Sequence, residues 1–277
     1  MNTRYTPLDG RRIAGEKLQK LKEAISQSGA MPVCAIVLIG SDHASQLYVR
    51  SIEKTAKEIG IEMQRRNFDK DVIREEVLTH IDVLNSGPAH GIIVQLPLPK
   101  HLSPDEVIAR INPEKDVDGF HPVNQKKFLS GEERIYPAFP RAIVELLRDT
   151  KENLNGKTAV VVGRSDVFGR IMNVALKRKG IQSEFVRCED YTDAVLKSAD
   201  VIITACGVPR LISSRHVKKD AIIIDGGITQ EDGKTVGDVD AASFKNMDVI
   251  LSPVPGGVGP MTIACLLENV ACRIGRE

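Results

Sequence analysis

Lys157-Thr158-Ala159-Val160-Val161-Val162-Gly163-Arg164-Ser165-Asp166-Val167-Phe168-Gly169 is the stretch from which the fold can be read. Ala159–Val162 is short, apolar and β-branched, as a buried strand requires, and helical periodicity runs from Val167 to Lys179. A strand that turns at once into a helix leaves free backbone N–H groups and the positive end of the helix dipole facing outward. That is where a phosphate sits in dinucleotide-binding domains. The glycines do not follow a strict G-x-G-x-x-G, so taken alone the stretch is equally an ordinary strand-to-helix turn.

The same alternation extends over the whole chain. Strands are predicted at Val33–Ile39, Ile61–Asn67, Gly91–Leu96, Ser183–Arg187, Val201–Thr204, Ala221–Asp225 and Val249–Leu251. Helical periodicity marks Arg11–Ser28, Ala44–Ile59, Arg74–Asn85, Ala142–Asp149, Thr192–Lys197 and Ile263–Ile274. Strands alternating with helices imply parallel sheets covered on both faces, an α/β fold. Asn112–Phe139 is rich in Pro, Gly, Lys and Asp and weakly periodic, so it reads as the boundary between two domains. The expected division is 1–139, with 260–277 returning to it, and 140–259 as a Rossmann-like dinucleotide-binding domain.

A chain of 277 residues is long enough for two such domains. Lys and Arg total 38 against 37 Asp and Glu, a net charge of +1, which gives no electrostatic support for a nucleic-acid or acidic-membrane partner. No apolar run reaches the length of a membrane span, and Met1–Gly10 has no signal-peptide pattern, so a cytoplasmic location is expected. The five cysteines (Cys34, Cys188, Cys206, Cys265, Cys272) are scattered, without C-x-x-C, and read as free thiols in a reducing compartment. The six histidines show no ligand spacing, so no metal is expected.

Several strand ends carry small or polar residues suited to a ligand. Thr204-Ala205-Cys206-Gly207 and Asp225-Gly226-Gly227-Ile228 would let a cofactor come close. Glu189 and Asp190 follow the strand Ser183–Arg187; an acid there bonds the ribose hydroxyls of NAD and repels the 2′-phosphate of NADP, or is simply a solvated loop. Arg164 argues the other way, since a guanidinium pairs with that phosphate. The balance favours NAD.

Gln95, within Val94-Gln95-Leu96-Pro97-Leu98-Pro99, is a polar residue at an apolar strand end; if buried it needs partners. Asp116 and Asp118, in Lys115-Asp116-Val117-Asp118-Gly119-Phe120, share a face in extended chain, and Asp116 reads as solvated. Tyr48 and Ile52, four apart on a helix, are neighbours on one face. Ser252–Thr262, S-P-V-P-G-G-V-G-P-M-T, sets Gly256, Gly257 and Gly259 among prolines before an apolar helix, with Pro260 in its first turn.

Together these motifs resemble the FolD family, the methylenetetrahydrofolate dehydrogenase/methenyltetrahydrofolate cyclohydrolases. The resemblance runs nearly end to end: Leu8-Asp9-Gly10, Ala44-Ser45-Gln46-x-Tyr48-Val49, V-Q-L-P-L-P, K-D-V-D-G-F, V-V-V-G-R-S, G-D-V-D at Gly237–Asp240, and P-V-P-G-G-V-G-P-M-T. It implies two α/β domains flanking a cleft, a homodimer, and NAD or NADP acting on a tetrahydrofolate. By the same resemblance Tyr48 would stack on the aminobenzoyl ring, Asp118 would bind the pterin's amino edge, and Gln95, Leu96 and Pro97 would line the reacting carbon's surroundings. Pro255, Gly256, Gly257 and Pro260 would line the folate and nicotinamide pocket. Gly163, Arg164, Ser165, Asp190, Gly207 and Ile228 would hold the dinucleotide.

The chain also departs from that pattern. The family's Y-V-x-x-K places a catalytic lysine where this chain has Ile52. The usual P-C-T-P-x-G is Pro137-Ala138-Phe139-Pro140-Arg141-Ala142, I-V-G-x-P is Val167-Phe168-Gly169-Arg170-Ile171, and V-G-I is Gly226-Gly227-Ile228. Asp190 stands at the serine of C-H-S-x-T. The expectation is therefore a dehydrogenase with weak or lost cyclohydrolase activity. Alternatives are a bifunctional enzyme with a substitute base, or a folate-binding paralogue without catalysis.

Overall fold

Unbroken apolar runs become strands buried on both faces, and the amphipathic stretches cover them. The computed structural model describes residues 5–274. In chain order the elements begin with β1 (Thr6–Pro7), α1 (Gly10–Ser28), β2 (Val33–Ile39), α2 (His43–Glu58), β3 (Glu62–Phe68), α3 (Arg74–Ser86) and β4 (Gly91–Val94). There follow α4 (Pro104–Ala109), α5 (Pro122–Ser130), α6 (Ala138–Asp149), β5 (Thr158–Gly163), α7 (Asp166–Lys177), β6 (Gln182–Arg187) and α8 (Asp193–Ser198). The chain closes with β7 (Val201–Ala205), β8 (Ile222–Asp225), β9 (Thr229–Glu231), β10 (Lys234–Val236), β11 (Ile250–Leu251) and α9 (Val258–Ala271).

Two compact units result, Met1–Ala14 with Phe139–Thr262, and Gly15–Ala138 with Ile263–Glu277. The outermost ends of the expected domains, residues 1–4 and 275–277, lie outside the described residues. The start of the chain groups with the dinucleotide-type unit and not, as expected, with the other. The cause is β1, which pairs in parallel with β11 through Thr6↔Ile250 and Pro7↔Leu251.

That unit holds a six-stranded parallel sheet of order β1-β11-β8-β7-β5-β6. From β5 the chain passes through α7 to β6 on one side, then through α8 to β7 on the other. The reversal opens a crevice beyond the carboxyl ends of β5 and β7, the position at which ligands bind such sheets. Val160, Val162, Ile202 and Ile223 pack one face of the sheet. Ser165 caps α7 by accepting from the Phe168 N–H at 3.3 Å, and Ile171, Met172, Ala175 and Leu176 are its buried stripe. The helix ends at Lys177, and the turn that follows closes through Gly180, whose φ of +75° a side chain would disfavour.

The other unit holds a three-stranded parallel sheet, β3-β2-β4. Asp42 caps α2, accepting from the Ser45 N–H at 2.8 Å, and Ser45, Val49, Ile52 and Ala56 form its buried face. The two units divide between Ala138 and Phe139, inside Asn112–Phe139. That stretch also holds α5, delimited by Pro122 at its start, His121 accepting from the Val123 N–H, and Gly131 at φ +83°. Two expectations need correction. Asp116 is not solvated: 1% exposed, it accepts from the N–H groups of Gly119, Phe120 and His121 and from Asn124 Nδ2. The cysteines are not all free thiols, since Cys188 and Cys206 form a disulfide. These two lie far apart along the chain, but β6 and β7 flank β5, so the ends of those strands converge.

Asn269 fastens α9 within the same unit. Only 5% exposed, its Nδ2 donates to the Val117 carbonyl at 2.8 Å and the Tyr136 carbonyl at 2.9 Å. Asn269→Ala leaves two carbonyls without a donor and should destabilise the protein by about 1–3 kcal/mol. Urea unfolding checks this; an unchanged midpoint would show that the two bonds are dispensable.

Candidate active site

In the second unit the strand end β4 and the segment after α4 meet. Ile92 bridges to Asp116 in parallel register and donates its N–H to the Lys115 carbonyl at 2.7 Å. This draws Lys115–Phe120 alongside β4, so Asp118 follows a fixed turn. Gly119 completes that turn at φ +81°, and a Cβ there would stand 2.7 Å from Pro137 Cα. Asp118 is half-buried, and burial, with a further push from the charge of Asp116, raises its carboxyl to about 7. The Asp118 charge in turn helps raise the Tyr48 phenol and the Cys34 thiol, after burial itself, and Cys265 adds to the effect on Tyr48. Tyr48, Asp118, Cys34 and Cys265 thus form one electrostatic neighbourhood inside this unit.

Gln95, Leu96 and Pro97 follow β4 directly. The Gln95 amide is half-buried, not buried, and donates from Nε2 to the Leu96 carbonyl at 2.6 Å. Ile52 is fully buried. Arg50 is exposed, and the Lys54 side chain is 79% exposed with Glu58 4.0 Å away. Helix α2 therefore turns an apolar branch inward and its amines outward.

In the first unit Gly163 ends β5, Arg164 and Ser165 make the turn, and α7 begins. Arg164 Nε donates to the Cys206 carbonyl at 2.6 Å, which ties the turn to the end of β7. Asp190 is exposed just beyond β6, Gly207 adopts φ +64° with open space where a Cβ would be, and Ile228 is 50% exposed after β8. A helix N-terminus, a side-chain-free glycine and an exposed apolar residue at neighbouring strand ends fit a dinucleotide. Asp166 sits in the first turn of α7 but is paired with Arg187 at 2.5 Å, which offsets its charge.

Two carboxylates that sequence reasoning left without a role organise these ends. Asp238, fully buried, accepts from Thr204 Oγ1 at 2.7 Å, the Cys206 N–H at 2.6 Å and the Val208 N–H at 2.8 Å. Asp225 accepts from the N–H groups of Gly227, Asp238 and Val239, yet burial still pushes it up to about 6. Gly227 is glycine because a Cβ would strike the Asp238 carboxylate. The signal was available: an acid ending the run Ile222-Ile223-Ile224-Asp225 is not placed for solvent.

The Gly-rich run also belongs to the first unit as far as Thr262. Pro255 is exposed, Gly256 and Gly257 are buried, and Pro260 is half-buried. The Arg11 N–H donates to the Gly256 carbonyl at 3.1 Å, and a side chain on Gly10 would collide with the Gly257 carbonyl. Leu8-Asp9-Gly10 and the Gly-rich run are therefore one packed element.

Among the described residues there is no cluster of three or more His, Cys, Asp or Glu arranged for a metal ion, and no helix long and apolar enough to cross a membrane. Residues 8–118 match the model for the catalytic domain of tetrahydrofolate dehydrogenase/cyclohydrolase, and residues 137–277 match the model for its NAD(P)-binding domain. The chain is 44% identical over 271 residues to the bifunctional protein FolD of Bacillus pumilus, covering 95% of each. The bifunctional FolD dehydrogenase/cyclohydrolase of Campylobacter jejuni superposes with a TM-score of 0.91 at 37% identity, over 99% of this chain and 100% of that one. The Trypanosoma brucei FolD, solved with NADP and an inhibitor, gives 0.92 at 29% identity over 98% of each chain. With both domain models matched in order and full-length relatives at this identity, the chain belongs to the FolD family, the tetrahydrofolate dehydrogenase/cyclohydrolases.

Proposed function

We propose that this protein oxidises 5,10-methylenetetrahydrofolate to 5,10-methenyltetrahydrofolate with NAD or NADP as hydride acceptor, and that its cyclohydrolase step is weak or absent. The observation that carries the reading is Ile52, fully buried on the inner face of α2 where the family pattern has lysine, in a chain that keeps Tyr48, Gln95 and Asp118. Bound nicotinamide would supply the hydride acceptor. The folate's own nitrogen supplies the electron push, so the protein's share of this step is positioning. Tyr48 offers a ring face, Gln95 an amide at the β4 end, and Asp118 an acceptor for the pterin's amino edge. Hydrolysis of the methenyl cation instead needs proton transfer, in which a placed side chain contributes about 10²–10⁴-fold. An isoleucine supplies none of it.

The domain division follows the same reading: folate on the unit built around β2, β3 and β4, dinucleotide on the unit built around β5 to β8. Exposed Asp190 favours NAD. A cytoplasmic homodimer belongs to the same reading and rests on the family resemblance alone.

A coupled assay tests the proposal. Purified protein should reduce NAD in the presence of methylenetetrahydrofolate while the methenyl product accumulates. Fast enzymatic decay of added methenyltetrahydrofolate would instead establish a bifunctional enzyme with a substitute base. Ile52→Lys should raise the cyclohydrolase rate by about 10²-fold or more, since the buried amine would be held neutral by desolvation and act as a base. No rise would place the proton transfer elsewhere.

Asp118 predicts a pH dependence. Its carboxyl is raised to about 7, so it is mostly protonated at pH 6 and mostly ionised at pH 8. Only the carboxylate accepts two hydrogen bonds from a pterin edge. Affinity for a folate analogue should therefore rise roughly tenfold over that interval, as the competent fraction does. Asp118→Asn should remove the dependence; tighter binding at low pH would overturn the role.

One observation favours the paralogue without hydride transfer. The Phe139 ring occupies the space that a side chain on Gly226 would need: a Cβ there would lie 2.7 Å from Phe139 Cζ. Phe139 also packs on Phe168, ring centroids 5.3 Å apart. Gly226→Ala should cost about 1–3 kcal/mol of stability by overpacking, and Phe139→Ala in the same chain should relieve only the share due to the ring, because the Thr204 carbonyl would also lie 2.8 Å from the new Cβ. Folate binding without any NAD or NADP reduction in the wild type, together with reduction in Phe139→Thr, would establish this second reading.

A further inference from the structure

We propose that Cys188 and Cys206 form a thiol–disulfide gate over the dinucleotide crevice, closed when bridged and open when reduced. The inference rests on the dinucleotide reading above. Cys188 follows β6 and Cys206 follows β7, the two strands on either side of β5. Strands two places apart in a sheet are roughly 9.6 Å apart. The Cα atoms of the two cysteines are only 5.9 Å apart. The residues past both strand ends have therefore bent toward each other across the carboxyl end of β5.

Both cysteines bond to the turn beneath them. The Cys188 N–H donates to the Gly163 carbonyl at 3.2 Å, and the Cys206 carbonyl accepts from Arg164 Nε at 2.6 Å. Gly163, Arg164 and Ser165 are the turn on which a dinucleotide's phosphates would land, at the point where the strand order reverses. Asp190 and Gly207, on the same two loops, are the residues that would meet the ribose and the close-approaching cofactor. A covalent strap between these loops holds them over the crevice; cutting it lets them separate. Nothing else in the fold requires the bridge, because Asp238 already fastens the β7 end through Thr204, Cys206 and Val208.

The opening step is thiol–disulfide exchange with a small thiol, R–SH. Its thiolate attacks Sγ of Cys188, which is half-buried, whereas Cys206 is 3% exposed. The S–S bond breaks, Cys206 leaves as a thiolate and takes a proton, and a mixed disulfide forms on Cys188. A second R–SH attacks the R–S sulfur, releasing the Cys188 thiol and R–S–S–R. Two electrons and two protons pass from the two small thiols to the protein. Closing is the reverse, with R–S–S–R as oxidant. Cys34 and Cys265 are buried in the other unit; Cys272 is exposed beyond α9, and its adducts are separated from the 188–206 link by the peptide map.

The test uses the full chain, reduced with dithiothreitol or oxidised with glutathione disulfide, each state verified by alkylation and peptide mass mapping. Dissociation constants for NAD and NADPH are then measured by calorimetry and by nicotinamide fluorescence. The reduced protein should bind at least about tenfold more tightly, as a closed site lowers the competent fraction. Cys188→Ser should bind equally with and without oxidant, and Cys206→Ala should do the same; the first variant guards against misfolding at the more buried position. Equal affinity of the two wild-type states, or failure of the 188–206 peptide link to appear on oxidation, overturns the gate alone. Absence of dinucleotide binding in both states overturns the dinucleotide reading, and the gate with it.

Discussion

Parallel strands end with backbone groups that no neighbour satisfies, and buried carboxylates take up that demand in both units. Asp116 gathers three consecutive N–H groups and the Asn124 amide. Asp225 and Asp238 divide six donors between them at the ends of β7 and β8. A charge withdrawn from water is costly unless it is bonded this fully, and a turn held by one is correspondingly hard to deform. Asp118 and the crevice beside Gly207 both owe their positions to such a carboxylate.

The same arrangement separates positioning from chemistry. Asp116 is saturated with donors and orients the turn; Asp118, two residues on, is left with a raised pKa and a partly open face. Close spacing of two acids makes one structural and leaves the other available for a ligand.

Aromatic packing also gathers beside the crevice of the first unit. Phe139 lies against Phe168, and a Cβ on Gly226 would meet both the Phe139 ring and the Thr204 carbonyl. A backbone neighbour as well as a ring therefore holds position 226 to glycine. Ile52 completes the apolar face that Val49 and Ala56 present on the inner side of α2.

Periodicity and turn residues were enough to reveal the alternating strands and helices, because each element's burial stripe is written in consecutive residues. They also showed Gly163 at a strand-to-helix turn, whereas Tyr48 and Asp118 stood out only through the family resemblance. Helix α5 was legible too, in Pro122 and Gly131, but polar composition masked it. The solvated reading of Asp116, the thiol reading of Cys188 and Cys206, and the assignment of the first fourteen residues all depended on neighbours distant in sequence. Asp116 is buried because β4 pairs beside it, the cysteines meet because β6 and β7 flank β5, and residues 5–14 join the unit that contains β11 because one parallel strand pair holds them there. Local chemistry is a property of the chain itself, whereas strand order brings remote groups together, and only the packed sheet sets that order.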